Sequence, residues 1–300
     1  MKKSLKGLIK LTRFNEYVYF VVITTLLGVA AARGRFGMSL IVLLIANWMA
    51  VGFAFMINDI EDAPDDALSL AKTHRNPVSA GLIKPWTARK ATFAVGAISA
   101  GLFAILGFWP FIFGFSSLIL GYLYSARLVR LKTMAFMDIF SHCLMLAGLQ
   151  FLTGYFTYAN RLSYYWFWPF IFVLSISVYG ELYNELRDLE VDQQAQLRHT
   201  AIFLGEKTTH IIMLLMLFIS LISGMVSFVM INLIPHWVLI LMVVLALVFT
   251  LPPFLKVKRT KNNLAIQNAF HKPLERAAAL ALALLYILPW LDQFWRLGLF

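Results

Sequence analysis

Nine runs of mostly apolar residues recur along the chain, at about 16–33, 39–58, 90–108, 110–126, 136–157, 164–184, 208–231, 234–254 and 275–296. Each is close to the roughly 20 residues that a helix needs to cross the hydrocarbon core of a bilayer. The pattern predicts an all-α polytopic membrane protein with nine transmembrane helices in one bundle. Runs three and four meet at Trp109 and Pro110 with almost no linker. Two polar breaks are long, about 59–89 and 185–207, and the others are short. No low-complexity stretch or composition shift divides the chain, so residues 1–300 read as a single membrane domain.

Charge placement supports the count and sets an orientation. With the N-terminus inside, only Arg33, Arg35, Arg161 and Arg296 of the 26 Lys and Arg fall outside. Cytoplasmic loops collect Lys and Arg, so the N-terminus is expected in the cytoplasm and the C-terminus on the opposite side. The basic start (Lys2, Lys3, Lys6, Lys10, Arg13) leads into an apolar run without a clear cleavage site, which reads as a retained first span. The aromatic cluster at 164–170 suits an interfacial belt.

Composition agrees. Mean hydropathy is +0.76 and 14% of residues are charged, against about 25% in soluble domains. The net charge of +11 is explained by basic membrane loops, and no nucleic-acid partner is expected. Cys143 is the single cysteine, so no internal disulfide forms.

The polar breaks carry the candidate chemistry. All but five of the 15 acidic residues lie in 59–66 and 181–192. Asn58-Asp59-x-x-Asp62-x-x-x-Asp66 is repeated in register as Asn184-Glu185-x-x-Asp188-x-x-x-Asp192. Positions i, i+4 and i+8 share one helical face, so each motif aims an Asn and two Asp in one direction from the end of a span. Pro64 is expected to interrupt the first copy and leave Asp66 on a turn. Crowded like charges at a membrane boundary are costly, and a divalent cation removes that cost. Mg²⁺ takes hard oxygen ligands and typically joins carboxylates to substrate phosphates. Ordinary solvated loop acids would not repeat in register on one predicted side.

Basic residues follow on that side. Lys72, His74 and Arg75 come after the first motif, and Arg198, His199 and Lys207 after the second. Tyr122, Tyr124, Arg127, Arg130 and Lys132 lie in the loop after run four. Arg and Lys suit phosphate oxygens. The histidines have no metal-ligand spacing and are assigned no metal. Asp138 reads as a polar helix end-cap.

The paired motif, with "YSARLVRLK" (124–132) and "THRNPVSAGLI" (73–83), resembles the UbiA superfamily of intramembrane prenyltransferases. The resemblance covers nearly the whole chain. It implies a bundle around a central cavity with a cytoplasmic-side cap, and a lateral opening to lipid. It also implies that Asp62, Asp66, Asp188 and Asp192 bind Mg²⁺ and the diphosphate, with Asn58 and Asn184 in support. Lys72, Arg127, Arg13, Tyr124 and Arg198 would hold the diphosphate. Gln196, Ser69, Asn76 and Glu185 depart from the usual loop pattern. The implied reaction is Mg²⁺-dependent transfer of a prenyl group from a prenyl diphosphate to an acceptor, aromatic or quinone-type, within the lipid bilayer. Asp59, Glu61 or Asp138 would orient the acceptor or take its proton. Two alternatives remain: a terpene cyclase that needs no acceptor, and, more remotely, a divalent-cation transporter built from two repeats.

Overall fold

The computed structural model describes residues 2–68, 70–194, 197–257 and 263–296. All regular structure among them is helical. An amphipathic helix α1 (Lys2–Thr12) precedes α2 (Val18–Ala31), and the long α3 (Met38–Asp66) is followed by the short α4 (Leu70–Arg75). Next come α5 (Pro85–Leu106) and α6 (Phe108–Ser125). The fifth span starts as α7 (Met137–Cys143), passes a π-helical turn (Leu144–Gly148) and ends as α8 (Leu149–Tyr158). The rest is α9 (Phe167–Gln194), the short α10 (Thr200–Leu204), α11 (Glu206–Met225), α12 (His236–Val257) and α13 (Asn263–Arg296).

Among the described residues, eight helical segments are long and apolar enough to cross a bilayer. The ninth expected span is α2, whose 14 residues cover only about 21 Å. It reaches spanning length together with the segment from Leu5 to Glu16, to which it is bent by 54°. Its place explains the short length. α2 is buried from Thr24 to Ala31 and packs against α8, α13 and α3, so protein rather than lipid surrounds it. α12 is the opposite case, with 6% of its span buried. The split between the third and fourth spans falls at Gly107, not at Trp109–Pro110. Gly107 alone connects α5 to α6, with φ 125°, a conformation that side chains disfavour.

Water supplies no driving force between helices in a bilayer, so close packing and interhelical hydrogen bonds hold the bundle. Two glycines make the α2–α8 contact. A Cβ on Gly28 would lie 2.1 Å from the Phe151 carbonyl oxygen, and one on Gly154 would lie 2.5 Å from that of Thr25. Beside them Asn47 of α3 donates to Thr25 (2.8 Å) and accepts from Thr153 (3.0 Å). The π turn changes the backbone register in the same layer. There the Met145 carbonyl accepts from Ser117 (3.2 Å) and Gln150 (3.1 Å), which ties α6 to the bulge.

The glycine contact predicts a graded result. Gly28→Val should lower thermal stability or abolish the monodisperse peak in detergent, as overpacking costs about 1–3 kcal/mol or more. Gly101→Ala meets open space and should be neutral or stabilising by roughly 1 kcal/mol. Thermal melts followed by size-exclusion chromatography compare the two.

Candidate functional site

α3 runs through the first acidic motif and ends at Asp66. Pro64 therefore does not break the helix, contrary to the expectation from its ring, and Asp66 is the last helical residue rather than a turn residue. Proline removes one intrahelical donor, and side chains from two other segments bind the carbonyls of this last stretch. Asn76 Nδ2 donates to the Asp59 carbonyl (2.7 Å), Arg127 Nε to that of Glu61 (3.0 Å) and Ser79 Oγ to that of Ala63 (2.8 Å). Asn76 also donates to Asp66 Oδ2 (2.9 Å), while its Oδ1 accepts from the Val78 N–H (2.9 Å). This residue, an insertion by sequence pattern, clamps the motif to the loop that follows it.

The segment after α6 folds back over the motif. Arg130 has a left-handed backbone, φ 51°, and starts a short 3₁₀ turn, Leu131–Thr133. From it Arg130 reaches Asp62 (3.0 Å) and Asp65 (2.8 Å), and Lys132 reaches Asp62 (2.5 Å) and the Asn58 amide oxygen (2.9 Å). Arg127, favoured by sequence position, instead meets Asp65 (3.1 Å) and the Glu61 backbone. Arg13, also expected at a diphosphate, is paired with Asp59 (3.3 Å) and Glu16 (2.5 Å) and lies over the Phe55 ring. Asp59 is buried and its Oδ2 has no partner among the described residues. Burial pulls the Lys132 ammonium below its usual range, and the Asp62 carboxylate only partly opposes this.

The second motif stays helical throughout, because α9 continues to Gln194. Asp188 is exposed and held by Arg187 (2.7 Å), whose guanidinium also reaches the Asn184 oxygen (3.3 Å). His199 links the two other members, with Nδ1 3.2 Å from Glu185 and Nε2 3.2 Å from Asp192. Glu185 also accepts from the Ala201 N–H (2.8 Å). Asp138 accepts from the N–H and hydroxyl of Thr200 at 2.6 and 2.5 Å and from the Ile139 N–H at 2.7 Å, so it joins the start of α10 to the first turn of its own helix. Asp138, Glu185 and His199 each offer a ligand atom within 4.8 Å of one another, all buried. The ring and carboxylate hydrogen bonds account for this cluster as a latch between α7, α9 and α10.

Each aspartate assigned to metal is thus engaged by protein: Asp62 by Arg130 and Lys132, Asp66 by Asn76, Asp188 by Arg187 and Asp192 by His199. Among the described residues, no three of these four meet within the distance that groups Asp138, Glu185 and His199. Tyr124 donates to Glu181 (3.3 Å), which also faces His142 (3.2 Å). Glu181 and His142 were missed by sequence reading because neither belongs to the repeated spacing. Arg198 is exposed. Lys72 lies in α4, and its side chain is outside the described residues, as are Ser69 and Gln196.

A sequence model described as the UbiA prenyltransferase family matches residues 21–274. Among solved structures, a UbiA homolog from Archaeoglobus fulgidus bound to GPP and Mg²⁺ superposes with a TM-score of 0.70 at 20% identity, covering 94% of this chain and 98% of its own. A UbiA homolog from Aeropyrum pernix K1 gives 0.68 at 15% identity, covering 91% and 98%. A digeranylgeranylglyceryl phosphate synthase gives 0.65 at 16% identity, covering 94% and 98%. No curated protein matches. At these identities the structures share the fold with this chain.

The latch has a pH signature. Burial lowers the affinity of His199 for a proton, but the Asp192 and Glu185 carboxylates outweigh it and raise the pKa from 6.5 to about 9. A raised folded-state pKa contributes stability that is full below 6.5, declines as pH rises and is lost above about 9. In chelator, wild type should melt a few degrees above His199→Gln at pH 6, and the gap should close by pH 9.5. A constant gap across that range would remove the charged latch.

Proposed function

The chain belongs to the UbiA prenyltransferase family, an integral membrane family by its helices, and from that premise we propose that it transfers a prenyl group from a prenyl diphosphate to an acceptor of aromatic or quinone type. The reading rests on one observation above all: two N-[DE]-x-x-D-x-x-x-D motifs end two long helices, α3 and α9, with a basic loop folded onto the first. The A. fulgidus homologs bound to GPP and to DMAPP, each with Mg²⁺, support the substrate class. The charge bias supports a cytoplasmic N-terminus and a C-terminus on the other side.

The donor set fits Mg²⁺. It consists of hard carboxylate and amide oxygens, and beside it stands a buried carboxylate oxygen of Asp59 with no partner among the described residues. Asp62, Asp66, Asp188 and Asp192 would hold the metal, with Asn58 and Asn184 beside them. When bound, Mg²⁺ supplies positive charge to a departing diphosphate. Arg130 and Lys132, which neutralise Asp62, add to the expected Lys72, Arg127 and Arg198 as the positive wall for diphosphate oxygens, with Tyr124 offering a neutral hydroxyl. Arg13 and Asn76 act one step back, since they fix Asp59 and Asp66. Apolar helices keep water from the allylic cation left behind. Asp59 or Glu61 would orient the acceptor or take the proton it loses, whereas Asp138 has both oxygens taken by Thr200 and Ile139.

In its native membranes, which carry the acceptor, supplied with geranyl or dimethylallyl diphosphate and Mg²⁺, diphosphate release should fall on the order of 100-fold in Asp62→Asn or Asp188→Asn. Both variants should elute like wild type, and chelation of Mg²⁺ should stop the wild type. Full turnover in either variant would remove it from the chemistry. A hydrocarbon or alcohol formed without acceptor would replace transfer by cyclisation.

A further inference from the structure

An apolar groove of about 430 Å³ runs along the outer face of α3, α5 and α6, within the roughly 300–1,000 Å³ of ligand sites. Phe53, Phe93 and Leu118 wall it, Gly96 and Ala97 form its floor, and Tyr122 stands towards the end of α6 that carries the basic loop. The floor is shaped by crowding, since a Cβ on Gly96 would lie 2.9 Å from the Phe53 ring. The span of α5 is only 22% buried, so hydrocarbon surrounds this face in a bilayer.

Charge at one end of the groove makes it more than a furrow. Arg89 lies four and eight residues before Phe93 and Ala97, on the same helical face. It sits 3.6 Å from Glu61, with its side chain 56% exposed while that of Glu61 is 17% exposed. The backbone N–H of Arg127 also donates to the Glu61 carboxylate (3.4 Å). Lys90 lies 4.9 Å above the exposed ring of Trp86. The other acid here, Asp65, is already shared by Arg127 and Arg130. The acidic charge is therefore tied down, and the outward charge is positive. Arg and Trp at this level, above an apolar channel, match a molecule with a hydrocarbon tail and an anionic phosphate head.

We propose that the groove between α3, α5 and α6 is a site for one acyl chain of an anionic membrane phospholipid, whose phosphate sits at Arg89. The site lies on the outer face and is independent of prenyl transfer. Its occupant is a bilayer lipid rather than the isoprenoid substrate, and the test separates the two.

The probes are phosphatidylglycerol and phosphatidylcholine, each with a photoreactive group in the acyl chain, incorporated in nanodiscs with the full chain. Peptides of α5 and α6 should take up phosphatidylglycerol label about fivefold more than phosphatidylcholine label, the effect of one basic residue at an anionic surface. Arg89→Ala should erase that preference. Ala97→Trp, at an exposed position, should remove groove labelling and leave α12 labelling unchanged; Arg89→Ala carries the test alone if that variant fails to fold. Equal labelling by the two lipids, or labelling no stronger on α5 and α6 than on α12, would mean surrounding bilayer lipid only and overturn the proposal. Displacement of the label by geranyl diphosphate would also overturn it, since the groove would then be an isoprenoid path.

Discussion

The pairing of Asp62 with Arg130 and Lys132 is the interaction on which the motif-bearing end of the bundle depends. Carboxylates gathered at the end of a membrane helix repel one another and lose hydration. Something must carry the opposite charge, and in this molecule three residues of one loop do so. Because the loop leaves α6 and lands on α3, neutralisation also fixes how these two helices meet. Were Asp62 to hold a metal as proposed, Arg130 and Lys132 would be the cations left beside it for phosphate oxygens.

The two motifs reach neutrality by different means. The first is covered by long side chains from elsewhere, with Arg13, Arg127, Arg130 and Lys132 all converging on the last turns of α3. The second is held by neighbours in sequence, Arg187 on Asp188 and His199 on Glu185 and Asp192. The first therefore depends on tertiary packing between α1, α3 and α6, and the second on the short connection from α9 to α10. Identical spacing in sequence does not give identical surroundings.

The fold was legible in the sequence because hydropathy and helix length are the same physical constraint in a bilayer. α2 was read as an ordinary span, although its 14 residues are shielded by neighbouring helices that no local pattern announces. The acidic motifs were legible for a similar reason, since repeated spacing needs no tertiary knowledge. Pro64 was misread because the donors that satisfy the end of α3, Asn76 and Arg127, lie in other segments. His199 carried no recognisable spacing, as its partners stand 7 and 14 residues away and meet it only once α9 ends and the chain reverses. Arg130 and Lys132 were visible as loop cations, but only the left-handed turn at Arg130 shows that both reach Asp62 while Arg127 goes to Asp65.

The single-residue joint at Gly107 bears on how such a molecule can move. With φ at 125° and no further linker, α5 and α6 have no slack at that end. They behave as a stiff two-pronged fork, so any widening between them must open at the far tips, where Arg89 and Arg127 stand. Breathing of this half of the bundle is thus hinged on one side of the membrane and felt on the other.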